Sequence, residues 1–165
     1  VNHHVAQQII ENLHQHNDIS AHLREHSLEV QLPFLKYFQE EEFTIIPIVM
    51  KDQSFHAARE LSDIIFKMLQ DGDLVIASTD LNHYENQTVT HKKDLKIIQA
   101  VKNLDVEDLY IEIQQHSISM CGYGPVATIL NLGFRKADIL DHTTSGDVSR
   151  DYNMVVGYLS AILTK

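Results

Sequence analysis

Phe43-Thr44-Ile45-Ile46-Pro47-Ile48-Val49-Met50 is short, continuously apolar and rich in β-branched side chains, the composition of a strand buried on both faces. Pro47 has no N–H and limits the ladder on one side. Downstream, Ser54 is placed to cap a helix whose Phe55, Ala58, Leu61, Ile65 and Leu69 recur at helical spacing. Asp71-Gly72-Asp73 reads as a turn, and Leu74-Val75-Ile76-Ala77-Ser78 as a second buried strand. Strand, helix, strand in that order predicts a right-handed parallel crossover, because a right-twisted strand feeding a right-handed helix returns to the sheet only that way. The fold expected is therefore α/β, with a central, mostly parallel or mixed sheet flanked by helices.

Working outward, Val5, Ile9 and Leu13 follow the N-cap candidate Asn2 and predict a helix over residues 3–15. Leu28, Leu32, Leu35 and Phe38 predict another over 27–38, with Pro33 either kinking it or marking its first turn. Helices are expected over 90–102 and 106–116, the second capped by Asp105. Pro125 and Gly133 bracket a short helix over 126–132. Residues 137–142 and 153–163 read as strands joined by a polar turn over 143–151. No repeat or linker divides the sequence, so residues 1–165 are expected to form a single α/β domain.

Composition narrows the function. Lys plus Arg number 13 against 23 for Asp plus Glu, giving a net charge of −10 that repels a phosphate backbone and argues against nucleic acid as a partner. The longest apolar stretches fall short of the roughly 20 residues of a membrane helix, so no membrane association is expected. The one cysteine can form no internal disulfide and no secretory signal opens the sequence, which points to the reducing cytoplasm.

Polar, titratable residues gather where the strand pattern stops, the place where open α/β sheets bind ligands. In Ser78-Thr79-Asp80-Leu81-Asn82-His83-Tyr84, a carboxylate three residues before an imidazole can orient the ring and fix its tautomer, as a general base or metal ligand requires. The plainer reading is a solvated loop with Asp80 capping a turn. In Ser119-Met120-Cys121-Gly122-Tyr123-Gly124-Pro125, two glycines let backbone approach a ligand and Cys121 lies near a helix start, where thiolate is favoured; a buried, inert cysteine is the plainer alternative. Arg24-Glu25-His26-Ser27 offers a further carboxylate–imidazole pair, or simply a helix start capped by Ser27. Thr144-Ser145-Gly146-Asp147 fits a tight connection. His3, His4, His14, His16 and His22 stand in no metal-ligand spacing.

Read together and in order, five blocks resemble the signature of the Memo family: Glu25 to Leu35 (EHSLEVQLPFL), Ile46-Pro47-Ile48, Ala77 to Tyr84 (ASTDLNHY), Cys121 to Val126 (CGYGPV) and Thr144 to Val148 (TSGDV). The resemblance implies a fold similar to class III extradiol dioxygenases. It also implies that this chain corresponds to the C-terminal two-thirds of a family member, the N-terminal third carrying two further pocket histidines that have no counterpart here. Carried over by motif, Cys121 is the metal-binding thiolate, Asp80 and His83 are catalytic pocket residues, and Glu25, His26, Tyr84, Gly122 and Tyr123 line the pocket. A cysteine with histidine ligands suits Fe(II), Cu or Zn rather than magnesium or calcium.

The function expected is thus a metal-binding, dioxygenase-like pocket acting on a small molecule, as a non-haem-metal oxidoreductase. AMMECR-type and radical-SAM proteins are the partners that the resemblance implies. The alternatives are a non-catalytic adaptor whose pocket takes a peptide or protein, and a cysteine hydrolase with Cys121 as nucleophile, His83 as base and Asp80 as orienter.

Overall fold

In the computed structural model, residues 1–15, 18–23, 25–39 and 41–165 are described, so His16 and Arg24 fall outside the described residues. Helix α1 (His3–Asn12) begins where Asn2 accepts the Val5 N–H at 3.2 Å, as the capping rule requires. The short α2 (Ile19–His22) follows. A 3-10 turn at Glu29–Gln31 then leads into α3 (Leu32–Phe38), with Pro33 in the first turn, where its missing N–H is harmless. Ser54 caps α4 (Phe55–Met68), which buries Ala58, Leu61 and Ile64.

The strands depart from expectation. Residues 43–50 and 74–78 form neither helix nor strand among the described residues, so the parallel crossover is not formed. The sheet observed is antiparallel and has three strands in the order β1-β3-β2. β1 (His83–Glu85) is flanked downstream by α5 (Gln87–Asn103), α6 (Val106–His116) and α7 (Tyr123–Leu130). β2 (Lys136–Thr144) and β3 (Val155–Thr164) form a long antiparallel pair from Ala137 opposite Leu163 to Thr144 opposite Gly157. The central, mostly parallel sheet is therefore corrected to a small antiparallel one; the flanking helices stand. The reason is physical: an apolar, β-branched run specifies an extended backbone, whereas its partner is chosen by whatever chain lies alongside.

Leu81, Ile97, Ala100, Leu109, Met120 and Ala127 share the main core, in which α5, α6 and α7 pack together and α5 lies against the sheet. A smaller cluster of Ile9, Leu61 and Ile64 joins α1 to α4. The α7 helix begins at Tyr123 rather than beyond Pro125, and Gly133 lies past its end with a φ of +79°, which favours glycine.

The polar turn between β2 and β3 holds α8 (Ser145–Ser149), closed by a capping box of Thr144 and Asp147. Asp147 accepts from the Thr144 N–H and the Thr143 hydroxyl, each at 2.8 Å. These donors, the Thr144 backbone foremost, hold its carboxyl well below the usual 3.8, at about 2. A carboxyl depressed on folding contributes stability that is complete above its unfolded value and is lost as pH falls through its folded one. Asp147→Asn is therefore expected to flatten the pH dependence of stability between about pH 4 and about pH 2, measured by denaturant titration at each pH. An unchanged slope in that window would contradict the assignment.

Candidate metal centre

The site is assembled from two loops held against one another by polar contacts centred on the buried Asn82. Antiparallel bonding fixes the first: Leu81 N–H donates to Gly157 O and Gly157 N–H to Asn82 O, both at 2.9 Å, which anchors the loop before β1 to β3. Asn82 is fully buried and serves both loops. Its Oδ1 accepts from the Ser119 N–H and hydroxyl, each at 3.2 Å, while its amide donates to Glu85 at 2.7 Å. Ser119 returns the contact, its Oγ accepting the His83 N–H at 2.7 Å and its carbonyl lying 2.6 Å from His83 Nδ1.

That last contact decides the imidazole. A carbonyl oxygen only accepts, so Nδ1 carries the proton and Nε2 of the neutral ring presents its lone pair. Nε2 lies 3.5 Å from Asp80 Oδ2. A lone pair facing a carboxylate is unfavourable unless a proton or a metal cation stands between them.

The second loop delivers Cys121. Its Sγ accepts the Asp80 N–H at 3.4 Å and lies 3.6 Å from Thr79 Oγ1. The loop is clamped at both ends: Gly122 N–H donates to Thr79 Oγ1 at 2.8 Å, and Gln53 bridges Cys121 O at 2.9 Å and Gly124 N–H at 2.8 Å. These approaches explain both glycines, since a Cβ at Gly122 would lie 2.7 Å from Thr79 Cβ, and one at Gly124 2.8 Å from Gln53 Cβ. Tyr110 anchors Gln53 in turn, its hydroxyl donating to Gln53 O at 2.7 Å. Burial, with the neighbouring Tyr123 and Asp52, pushes that hydroxyl up to about 12, so it remains a donor throughout the neutral range.

Asp80, His83 and Cys121 thus converge, one donor atom from each lying within 4.8 Å of the others. A tetrahedral ion with bonds of about 2.0–2.3 Å sets its ligand atoms roughly 3.5 Å apart, so the three fit one ion after small side-chain rotations. Sulfur, imidazole and carboxylate together match zinc, iron or copper better than magnesium or calcium. The hydrolase would use the same atom as the ion: with Nδ1 bonded to Ser119 O, Nε2 is the ring nitrogen left to take either a metal or a proton.

The remaining sequence candidates lie as follows. Tyr84 follows His83 with a φ of +59° and is 69% exposed, its ring 5.6 Å from the imidazole. Tyr123 stacks edge-on against Tyr110. Glu25 accepts the His26 and Ser27 N–H groups at 2.8 and 2.7 Å, and the Ser27 contact is the main reason its carboxyl lies below the usual range. His26 is exposed, and neither it nor Glu25 belongs to the three-donor cluster. Gln53 and Tyr158 escaped the sequence reading, and Asn82 and Ser119 stood inside the two candidate stretches without a role. The Tyr158 hydroxyl is raised first by burial and then by the nearby Asp80 carboxylate. Gly122 and Gly124 were the available signal, because paired glycines mark a close approach without naming what approaches.

The family model described as Memo-like protein matches residues 1–162. A MEMO1 family protein of Thermotoga sp. strain RQ2 is 53% identical over 148 residues, covering 88% of this chain and 53% of the relative. Its counterpart in Thermotoga maritima is 52% identical over the same coverage. One from Methanocaldococcus jannaschii is 44% identical over 156 residues, or 88% of this chain and 54% of the relative. The chain spans about half the length of the curated relatives it matches, a smaller share than the two-thirds expected. No helix among the described residues is long and apolar enough to cross a membrane. With a model match running almost end to end and half of the aligned positions identical to the Thermotoga proteins, this chain belongs to the Memo-like family.

Proposed function

We propose that Asp80, His83 and Cys121 hold a transition-metal ion, Fe(II), Cu or Zn, at the floor of a pocket that binds an unidentified small molecule. The observation that carries this is the convergence of three different donor atoms within 4.8 Å, with His83 Nε2 left facing a carboxylate. Each residue has a distinct task. Cys121 supplies the soft ligand, His83 the imidazole nitrogen aimed by its Nδ1–H bond to Ser119, and Asp80 the balancing negative charge. When bound, the ion supplies Lewis-acid or redox chemistry, and the dioxygenase-like oxidoreductase reading belongs to the longer family protein. Tyr84, Gly122 and Tyr123 are the residues that would contact the small molecule. Association with AMMECR-type and radical-SAM proteins is part of the same proposal, at the level of the family.

Cys121 is exposed, so its alkylation can be followed directly. Zinc at micromolar concentration is expected to protect it from iodoacetamide in the wild-type chain and to protect it far less in His83→Ala. Alkylation indifferent to zinc in both would remove the metal reading. A pocket that captures a peptide without metal would then favour the adaptor.

A further inference from the structure

A carboxylate stands on the apolar face of α5, where Asp94 is fully buried in line with Ile97 and Val101. Burying such a group costs stability unless it is well partnered, and an apolar side chain of similar size would hold a core at least as well. The fold nevertheless makes room for it. Gly157 lacks the side chain that would meet the Asp94 carboxylate, and β2 carries an extra residue between Ile139 and Asp141. Before that bulge Ala137 and Ile139 turn to the core; beyond it the parity changes, and His142 and Thr144 take the inward places. The change of parity brings His142 Nε2 to 2.9 Å from Asp94 Oδ2. A carboxylate only accepts, so Nε2 carries the proton. Asp94 Oδ1 accepts the backbone N–H of Asn82 at 3.1 Å, in the loop between Asp80 and His83.

We propose that Asp94 and His142 are positioning residues for the metal centre. His142 fixes the Asp94 carboxylate, Asp94 fixes the Asn82 backbone, and Asn82 through Ser119 holds the His83 ring with Nδ1–H turned to the Ser119 carbonyl and Nε2 toward the ion. The inference rests on the metal reading for what Nε2 meets, and on the hydrogen bonds alone for how Nε2 is aimed. Without the His142 donor the buried carboxylate keeps a single partner and must shift to find another, which loosens its hold on Asn82. A second clamp limits the damage. Glu85 accepts from the Asn82 side-chain amide at 2.7 Å and pairs with Lys93 at 2.6 Å, so the loop keeps its fold when the Asp94–His142 contact is cut, and the aim of the His83 ring is what suffers.

The imidazole itself is the probe. In the metal-free chain at about pH 8.5, above the range in which free imidazoles titrate, long-range proton–nitrogen NMR spectra of His83 report which ring nitrogen carries the proton. Expected is a single Nδ1–H form in the wild type and a mixture of both tautomers in His142→Leu. His142→Gln, whose amide can donate to Asp94 as the imidazole does, is expected to restore the single form. Cobalt(II) affinity, from competition with a chelator, is expected to fall about tenfold in His142→Leu and to return to within about threefold of wild type in His142→Gln. A residue that serves packing alone would lower the thermal midpoint of both variants and move neither readout. His142→Asn, too short to reach Asp94, takes the place of the leucine variant if that one does not fold. The proposal is overturned if His83 stays purely Nδ1–H in the folded variant, or if glutamine does no better than leucine. A tautomer response as described in a chain that binds no cobalt would uphold the positioning of His83 and end the metal reading; wild-type cobalt binding with no tautomer response would end the positioning alone.

Discussion

Replacing Gly157 with alanine is expected to remove about 3 kcal/mol of stability and to lower the thermal midpoint by roughly 6–12 °C. Gly157 sits in the central strand β3 opposite Thr144, and the carboxylate of Asp94 occupies the space that a Cβ would need. That carboxylate cannot step aside without loss. Asp94 is fully buried, accepts the Asn82 N–H at 3.1 Å and lies 2.9 Å from His142 Nε2. Displacing it strands a buried charge from both partners, the kind of disruption that produces the large end of mutational effects. The damage should also reach the metal centre, because Asn82 holds Ser119 and Ser119 holds His83. Thermal unfolding followed by circular dichroism measures the first effect. A midpoint within about 1 °C of wild type would refute the packing described.

Cys121→Ala and His83→Ala are each expected to weaken zinc binding by about 100-fold or more, since losing a ligand should exceed the 10–100-fold cost of losing an outer-shell partner. Asp80→Asn should cost less, about tenfold, because the Asp80 side chain is 47% exposed and water can replace its oxygen. Cys121 and His83 must be free of protons to bind, so affinity should also fall steadily as the solution is acidified. Competition against a chromophoric chelator gives the constants. The ordering Cys121 and His83 well above Asp80 is the informative result, and equal, small effects at all three would point to scattered surface binding.

How much of this was legible in the sequence depends on the range of the interaction. Caps and helix starts were readable because their physics spans three or four residues: Asn2, Ser54 and Asp105 each accept the N–H expected of them. The strands expected over 43–50 and 74–78 do not form among the described residues. Composition fixes backbone shape, whereas a ladder depends on a segment elsewhere. β1 was read as loop because three residues, His83-Tyr84-Glu85, carry no alternation to detect; their pairing with Val155 and Val156 is set by β3. The α8 helix was hidden inside a segment rich in turn residues, although Thr144 and Asp147 stand at capping-box spacing.

At the candidate metal centre, Asp80, His83 and Cys121 were singled out because their residue types advertise chemistry and their motifs resemble the family's. Gln53 was not, and Asn82 and Ser119 were quoted without a role, for the opposite reason. They are ordinary polar residues, and their contacts cross large separations: 71 positions from Gln53 to Gly124, 36 from His83 to Ser119. Nothing local in the sequence records such a contact, yet Ser119 decides which nitrogen of His83 faces Asp80.

Cobalt(II) titration of the metal-free chain, watched for a thiolate-to-metal charge-transfer band, reads sulfur ligation directly. Saturation at one cobalt per chain is expected, with the band absent in Cys121→Ser and shifted or weakened in His83→Ala. No band in the wild-type chain, or one that survives Cys121→Ser, would contradict a shared ion among Asp80, His83 and Cys121.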